Sequence, residues 1–358
     1  MITMKKLIMA LLFAVIFSGC ANKTVAIETS GDALLSMDKQ NVDTPKTNYD
    51  DKIESDDDTG DPAYASRVVG YLPDWSYQYY NSLDFSALTH LNIAFCNPDV
   101  NGDLSCYIPD DEMKEIVEMA RSSGVKVLAA LGGAGGCDGY TPLLDTPEKM
   151  AAFNERIMNY CETYGIDGID LDIELGANND IWKYYGDWVS SLRELCDERG
   201  YILTTATAQW VAVNVSSETY SHFDFVNVMA YDNDLDKESH ASLEYSKESL
   251  IYFNEQRGID KDKIVLGVPF YGRGYNDDGS LDWSSYVAFS SLDESDEDNY
   301  RADRYNGIAY NGADTIRDKC ELAKEYGGIM IWELTLDAED EHSLLAVIKD
   351  EMIGDREV

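Results

Sequence analysis

The sequence predicts an α/β protein built as one (β/α)8 (TIM) barrel, and two observations lead to this prediction. From residue 65 onward, eight short apolar runs typical of strands alternate with helical patterns, which indicates parallel βα units. This part of the chain, roughly 290 residues, has the length of one such barrel. An open doubly wound sheet is the alternative, but no Gly-x-Gly-x-x-Gly run leads into a helix to support a dinucleotide site.

The predicted elements follow one another in a regular order. Each strand is a short run rich in aliphatic and β-branched residues, and each helix carries apolar residues three or four positions apart. The predicted strands are 67–72, 88–95, 125–131, 168–173, 202–207, 223–229, 264–268 and 328–332. The predicted helices are 109–123, 146–164, 179–199, 240–257, 313–326 and, after the eighth strand, 341–352.

Residues 1–19 have the layout of a secretory signal. Lys5 and Lys6 precede the apolar run 7–17, and two small residues stand directly before Cys20. The run is shorter than the ~20 residues of a transmembrane helix. Its Phe-Ser-Gly-Cys end resembles a bacterial lipobox, which implies a lipoprotein signal peptide and a lipidated Cys20 at the mature N-terminus; ordinary secretion with nearby cleavage is the alternative. We therefore expect an exported protein, lipid-anchored on the periplasmic or cell-surface side of a bacterial membrane.

Residues 20–64 predict a flexible acidic tether between this anchor and the barrel at 65–358. Positions 21–64 hold 11 acidic and 4 basic residues and neither Trp nor Phe. Such a segment buries too little apolar surface to offset the entropy lost on ordering.

The charge of the chain excludes some partners. There are 67 acidic and 28 basic residues, a formal net charge of −39. This excess opposes nucleic-acid phosphates and anionic membrane surfaces, so we expect no nucleic acid and membrane contact only through the lipid anchor. Four His and no Cys-x-x-Cys pair leave little basis for a metal site, so we predict neither a metal nor a cofactor. We also predict a monomer.

Six cysteines lie within the barrel segment. Cys161, Cys196 and Cys320 fall in predicted helices and are expected to be buried thiols. The other three follow predicted strands, and a disulfide bridge among them is left open because spacing does not determine pairing. They are Cys96, Cys106 and Cys137.

The fourth predicted strand carries a row of acids. Because strand side chains alternate, Asp170, Asp172 and Glu174 point together into the barrel, while the intervening aliphatic residues point toward the helices. Like charges this close cannot all stay ionised, so at least one pKa must rise, and Glu174 at the end of the strand is the predicted general acid. A calcium loop or a solvated strand fits less well, because the intervening residues are apolar and the turn glycine is missing.

The run Asp-x-x-Asp-x-Asp-x-Glu at 167–174 resembles the catalytic signature of glycoside hydrolase family 18, the chitinase family. The likeness continues over about 67–350. Its further segments are Val-Gly-Tyr at 69–71, Val-Met-Ala-Tyr-Asp at 228–232, Gly-Val-Pro-Phe-Tyr-Gly-Arg at 267–273 and Gly-Ile-Met-Ile-Trp-Glu-Leu at 328–334. The resemblance implies a single catalytic barrel domain, and the connection 274–327 is too short for the large α+β insertion of some members, which predicts a more open groove.

The resemblance also implies a retaining, substrate-assisted hydrolysis of β-1,4 bonds next to N-acetylglucosamine. Glu174 would protonate the glycosidic oxygen while the acetamido oxygen of the sugar attacks the anomeric carbon. Asp172 would orient the acetamido N–H, Tyr231 would donate a hydrogen bond to the acetamido oxygen, and Asp170 would share a proton with Asp172.

Other residues are implied in holding the sugar chain. Trp332 would form the apolar floor of the site, and tryptophans that follow predicted strands could stack on further rings, with packing in the core as the alternative. The candidate substrate-binding residues are Trp332, Tyr71, Asp232, Met229, Arg273, Trp75 and Trp210, with Trp283 as a further stacking candidate. Two positions depart from the family pattern: Ala130 stands where Ser is usual, and Ile173 where Trp is often found.

Three functions remain open at this stage. The first is hydrolysis of chitin or chitooligosaccharides, which the segments at 228–232 and 267–273 favour. The second is an endo-β-N-acetylglucosaminidase that releases N-glycans by the same chemistry. The third is a sugar-binding lipoprotein without catalysis, which the presence of Glu174, Asp172 and Tyr231 disfavours.

Overall fold

The computed structural model describes residues 66–292 and 296–354, which all belong to the second of two compact units, 60–358. Eight parallel strands close into a barrel in which each strand pairs with its sequence neighbours and the eighth pairs with the first. The predicted (β/α)8 fold is therefore confirmed. The strands are β1 (Arg67–Pro73), β2 (His90–Ala94), β3 (Lys126–Gly132), β4 (Gly168–Asp172), β5 (Ile202–Thr207), β6 (Phe225–Val228), β7 (Ile264–Pro269) and β8 (Gly328–Trp332).

The predicted strands differ from the observed ones by two residues or fewer at each end. β2 is shortened because the chain before it forms a short 3-10 turn, Phe85–Ala87, whose C-cap is Leu88. β4 ends at Asp172, so Glu174 lies just beyond the strand and not on it.

Six longer α-helices in the described residues match the six predicted ones. The second helix shows which residues set its ends: Thr146 caps its N-terminus, Pro147 occupies the first turn, and Gly165 takes the left-handed conformation at its C-terminus. The helices are α1 (Asp110–Ser122), α2 (Pro147–Tyr164), α3 (Tyr185–Arg199), α4 (Leu243–Ile251), α5 (Ala313–Ala323) and α6 (Leu344–Met352).

Two of the βα connections lack a long helix. Between β1 and β2 the chain forms only 3-10 turns, and between β5 and β6 it forms two short helices, Gln209–Ala212 and Ser217–Ser221. The observed α4 begins later than the predicted helix 240–257, because Ser242 caps its N-terminus. After Ile251 the chain continues into a π-helical turn, Tyr252–Gln256.

The core has two layers. Outward-facing strand residues such as Ile169 and Leu171 pack with the helices in the larger apolar cluster. A smaller cluster fills the barrel interior, and it includes Val69, Tyr71, Phe225 and Met330. The acid row therefore enters an interior that combines these apolar side chains with buried polar ones such as Thr204 and Asn227.

The connection between β7 and β8 carries a small sheet that the sequence did not predict. Four antiparallel strands form it, in the spatial order Leu281–Ala288, Tyr271–Tyr275, Ile308–Ala309 and Arg304–Tyr305. With one short helix, Glu297–Arg301, it falls short of a second α+β domain, which agrees with the predicted single catalytic domain.

The described cysteines are all free thiols, and Cys161, Cys196 and Cys320 are buried as expected. In the described part of the chain, none of the helices has the length and apolar character needed to cross a bilayer. The signal peptide, Cys20 and the tether lie outside the described residues, so those predictions stay predictions.

Candidate active site

The acid row of β4 lies where its alternation predicts. Asp170 and Asp172 are buried inside the barrel, at 0% and 3% exposure. Ile169, Leu171 and Ile173 face the opposite way and join the outer apolar cluster. This inward row stacks ionisable groups in an interior of low polarity, which makes their protonation states sensitive to one another.

Asp170 is the deepest member of the row and is held by three donors. Tyr71 Oη donates to Oδ2 at 2.6 Å, and Thr204 Oγ1 and Asn227 Nδ2 donate to Oδ1 at 2.5 and 3.2 Å. Burial raises the pKa of Asp170, while these hydrogen bonds to its carboxylate oppose the rise. Ala130 stands opposite Asp170 in the sheet and has no hydroxyl to donate, and the three donors of Asp170 come from β1, β5 and β6.

Tyr71 lies deeper than a residue at the surface of a cleft. Its side chain is only 1% exposed and lies inside the barrel. Its hydroxyl donates to Asp170, so in the free protein Tyr71 supports the acid row from below, and its contact with sugar stays a prediction.

Asp172 has a buried oxygen with no partner. Its Oδ1 receives no hydrogen bond from any of the described residues. Burial raises the pKa of Asp172 well above its ordinary value, and the neighbouring charges of Glu174 and Asp170 raise it further. A buried acceptor without a donor is costly, so a bound group that donates a hydrogen bond to this oxygen would be favoured there.

The glycines at the end of β3 make room for this strand. Gly132 stands opposite Asp172 with φ +113°, and a Cβ there would meet the Asp172 carbonyl oxygen at 2.0 Å. The next residue, Gly133, donates its N–H to that same carbonyl at 2.7 Å. Close approach of the two backbones therefore explains the Gly-Gly pair.

Glu174 lies two residues beyond the end of β4. Burial raises its pKa from 4.5 to about 7, and the negative charge of Asp232 adds to the rise. A carboxyl group with this pKa is protonated in a useful fraction near neutral pH and ionises readily, as a group that both gives and takes a proton must.

Tyr231 and Asp232 follow the sixth strand and lie beside the acid row. Burial raises the pKa of Tyr231 well above its ordinary value, and Asp172 and Glu174 are the next causes, so its phenol stays protonated. Gly267 makes room for it, because a Cβ there would lie 3.1 Å from the Tyr231 ring. Tyr231 is thus a neutral donor close to both acids.

Asp232 is ionised because two groups hold it. Arg273 binds it with two hydrogen bonds, Nε to Oδ1 at 2.9 Å and Nη2 to Oδ2 at 2.7 Å, and His240 Nδ1 lies 3.3 Å from Oδ1. Burial alone would raise the pKa of Asp232, but the hydrogen bonds of His240 and Arg273 outweigh it and hold the value at about 2. Asp232 and Arg273, both predicted as sugar ligands, therefore bind each other in the free protein.

Two residues behind this pair were missed by the sequence analysis. His240 is fully buried against Asp232, and Lys319 on α5 is equally buried, with Nζ donating to the Ala241 carbonyl at 2.8 Å and to Asn311 Oδ1 at 2.7 Å. Burial lowers the pKa of Lys319 to about 7. No sequence motif marks either residue. His240 lies in the irregular loop that follows β6, and Lys319 contacts this loop from a helix 78 residues farther along the chain.

Trp332 ends β8 at the centre of an aromatic cluster. Its ring stacks on Phe95 with centroids 5.7 Å apart, Tyr71 lies 5.5 Å away, and Nε1 donates to Tyr286 Oη at 3.1 Å. Trp332 and Met229 both pack at the edge of the interior apolar cluster. Phe95 and Tyr286 were not predicted, since one follows β2 and the other lies on the small sheet.

Three other tryptophans keep about half of their surface exposed. Trp75 is 45% exposed and lies 6.4 Å from Trp332, while Trp210 is 51% and Trp283 52% exposed. Arg273 packs over the Trp283 ring at 5.4 Å. All three are more exposed than packing in the core would leave them, so they stay candidates for stacking on sugar rings.

The described residues bring together one group of three side chains of metal-binding type, Asp340, Glu341 and His342. All three are at least partly exposed, and none of them belongs to the acid row.

Comparison with known proteins is consistent with this geometry. The family model "Glycosyl hydrolases family 18" matches residues 67–337. The structure of the GH18 chitinase ChiB of Flavobacterium johnsoniae superposes with a TM-score of 0.72 at 34% identity, covering 80% of this chain and 94% of that one. A chitinase from Bacteroides thetaiotaomicron gives a TM-score of 0.72 at 28% identity, covering 81% and 97%.

A curated relative matches less completely. Chitotriosidase-1 of Mus musculus is 27% identical over 253 residues, which are 59% of this chain. The chain spans 54% of the length of that relative, so the likeness covers only part of it.

Proposed function

The chain belongs to glycoside hydrolase family 18, and from this premise we propose that it hydrolyses β-1,4 bonds next to N-acetylglucosamine in chitin or chitooligosaccharides. The observation that carries the proposal is the unpartnered, buried Asp172 Oδ1 beside a Glu174 whose pKa is raised to about 7. The names of the Flavobacterium and Bacteroides relatives, both chitinases, support the same substrate.

The proposed reaction uses the substrate as its own nucleophile. Protonated Glu174 gives its proton to the glycosidic oxygen as the bond to the anomeric carbon breaks. The acetamido oxygen of the same sugar forms the new bond to that carbon, which leaves a cyclic oxazolinium ion. Ionised Glu174 then takes a proton from water, whose oxygen attacks the anomeric carbon and opens the ring with net retention.

Asp172 is suited to orient and stabilise, not to attack. Burial and two acidic neighbours raise its pKa, so a free, strongly nucleophilic carboxylate is disfavoured there. Its unpartnered Oδ1 can accept a hydrogen bond from the acetamido N–H. The positive charge of the oxazolinium ion then favours the ionised form of Asp172. Asp170, which three donors hold deeper in the barrel, shares a proton with Asp172.

Tyr231 supplies the matching donor for the acetamido oxygen. Its phenol stays protonated because burial and nearby acids raise its pKa, so it has a proton to donate at any working pH. With Asp172 on the N–H and Tyr231 on the oxygen, the acetamido group is fixed from both ends.

The test compares acetylated and deacetylated substrates. Chitooligosaccharides should be cleaved, whereas fully deacetylated chains should not, because they lack the attacking oxygen. Glu174→Gln should lose nearly all turnover and still bind sugar, while Glu198→Gln, which removes an exposed acid on α3, should leave the rate unchanged. Equal hydrolysis of both substrate types would overturn the mechanism.

The same assay separates the two other functions. Incubation with a high-mannose glycoprotein, followed by mass analysis of released glycans, would reveal endo-β-N-acetylglucosaminidase activity. Sugar binding with no product from either substrate would identify a binding protein. We expect products from chitooligosaccharides alone.

We further propose that the protein is exported and anchored by a lipid on Cys20, at a periplasmic or cell-surface membrane face. The basic, apolar and small-residue regions before Cys20 support this placement. Labelled fatty acid should be incorporated into the full chain and not into Cys20→Ala; equal incorporation into both would refute the anchor.

A further inference from the structure

Two thiols meet at the base of the hairpin that follows β2. The short strands Asn97–Pro98 and Leu104–Ser105 pair antiparallel, with Asn97 opposite Ser105. One residue farther along this register, Cys96 stands opposite Cys106. Opposite residues of antiparallel strands have Cα atoms about 4.5–5.5 Å apart, which falls inside the span of a disulfide bond.

One hydroxyl group holds both thiols. Tyr160 Oη donates to Cys96 Sγ at 3.4 Å and lies 3.5 Å from Cys106 Sγ. Both side chains therefore point toward the same hydroxyl group, which places the two sulfur atoms near each other at the base of the hairpin.

We propose that Cys96 and Cys106 form a redox modification site, which a disulfide oxidant converts into a cross-link closing the hairpin. The glycosidic chemistry uses neither thiol, so the proposal is independent of the proposed function.

The step is an ordinary thiol–disulfide exchange with a small-molecule or protein disulfide as the oxidant. The Cys106 thiolate attacks one sulfur of the oxidant and releases the other as a thiolate. The Cys96 thiolate then attacks the Cys106 sulfur, forms the protein disulfide and releases the second thiolate. Two electrons pass from the cysteines to the oxidant, and their two protons end on the two released thiols.

Cys106 is the better first nucleophile. It is partly exposed, and the hydrogen bond from Cys96 lowers its pKa to about 7, so a sizeable thiolate fraction exists near neutral pH. Cys96 is fully buried, and its pKa is raised by the hydrogen bond to Cys106 and by burial. The order of attack follows from this difference.

The remaining described thiols are internal controls. Cys137, Cys161, Cys196 and Cys320 are all buried. Burial raises the pKa of Cys137, Cys196 and Cys320 to about 12 in each case, so little thiolate forms at neutral pH. They should stay reduced in the folded protein under conditions that oxidise the hairpin pair.

The cross-link would stabilise a part of the fold that supports the acid row. Asn97, next to Cys96, binds Gly132 in both directions: its Nδ2 donates to the Gly132 carbonyl at 2.9 Å, and the Gly132 N–H donates to its Oδ1 at 2.7 Å. Gly132 stands opposite Asp172 in the barrel. Closing the hairpin should therefore raise stability without changing the rate of hydrolysis measured at low temperature.

The first experiment maps the cross-link. The full native chain is incubated with oxidised glutathione at neutral pH, free thiols are alkylated, and the protein is digested by a protease that cuts before Asp. Because cuts at Asp99 and Asp103 separate the two cysteines, a disulfide would join peptides 84–98 and 103–109. Recovery of both peptides alkylated and separate would overturn the proposal, and so would a cross-link that forms only after unfolding.

The second experiment measures what the cross-link does. Oxidation should raise the melting temperature on the order of 5 °C, and reductant should reverse the rise. Cys106→Ser or Cys106→Ala should abolish the shift, whereas Cys320→Ser should keep it. An unchanged melting temperature on oxidation, or a shift that survives in both Cys106 variants, would show that this pair does not close the hairpin.

Discussion

Asp232→Asn should move the pH dependence of the enzyme in a defined direction. The pKa of Glu174 is raised from 4.5 to about 7, first by burial and then by the charge of Asp232. A general acid works only while protonated, so kcat/KM should fall as the pH rises through this value. Removing the negative charge makes ionisation of Glu174 easier, and the alkaline limb should shift to lower pH.

The size of the shift follows from the order of the two causes. Since burial is the larger one, Asp232 accounts for less than half of a rise of about 2.5 pH units, so the expected shift is roughly half to one unit. The variant also leaves the buried Arg273 without its carboxylate partner, and its positive charge acts in the same direction. Breaking this pair is expected to destabilise the fold by about 3 kcal/mol.

The assay is kcat/KM for a chitooligosaccharide between pH 5 and 9, at a temperature where the variant is shown to be folded. Asp234→Asn is the matched control, because it removes an exposed carboxylate from the same loop, and its midpoint should equal that of the wild type. An Asp232→Asn midpoint that is unchanged or higher would refute the coupling between Asp232 and Glu174.

Three further predictions concern groups that support the site. Tyr71→Phe removes the 2.6 Å hydrogen bond to Asp170 and should lower kcat about 10- to 100-fold with an unchanged KM; a wild-type kcat would contradict the support role. Gly132→Ala should cost on the order of 3 kcal/mol in denaturant unfolding, against about 1 for Gly200→Ala, which has open space; equal costs would contradict the close backbone approach. The pKa of Lys319 is about 7 when folded and 10.5 ordinarily, so the unfolded chain binds more protons between these values and stability should rise with pH there. Lys319→Met should flatten that rise by roughly 1 kcal/mol per pH unit between pH 7 and 10, which unfolding at several pH values would test.

The barrel and the acid row could be predicted from the sequence because both rest on local patterns. Alternating apolar runs mark the strands, and a period of two places Asp170 and Asp172 on the inner face of β4 whatever the rest of the chain does. The reason for Gly132 could not be predicted in this way, since it depends on the carbonyl of Asp172 on the next strand.

The rest of the site depends on contacts between distant parts of the chain. Arg273 lies 41 residues from Asp232, and nothing in either segment announces that the two bind each other. Tyr71 was predicted to line the cleft, but the resemblance of its segment to a family segment does not tell how deep the side chain lies, and the structure buries it against Asp170. His240 contacts Asp232, and Lys319 donates to the carbonyl of Ala241 in the same loop. An irregular loop leaves no periodic signal in the sequence.

The small sheet between β7 and β8 limits how this enzyme can be engineered. It supplies Arg273 to Asp232, the open ring of Trp283, and the Tyr286 hydroxyl that receives the indole N–H of Trp332. A loop exchange with a relative would therefore replace the groups that set the charge next to the proposed general acid together with the proposed sugar-facing surface. If both proposals hold, such a graft should change specificity and pH optimum together, and a graft designed to alter one should be screened for the other.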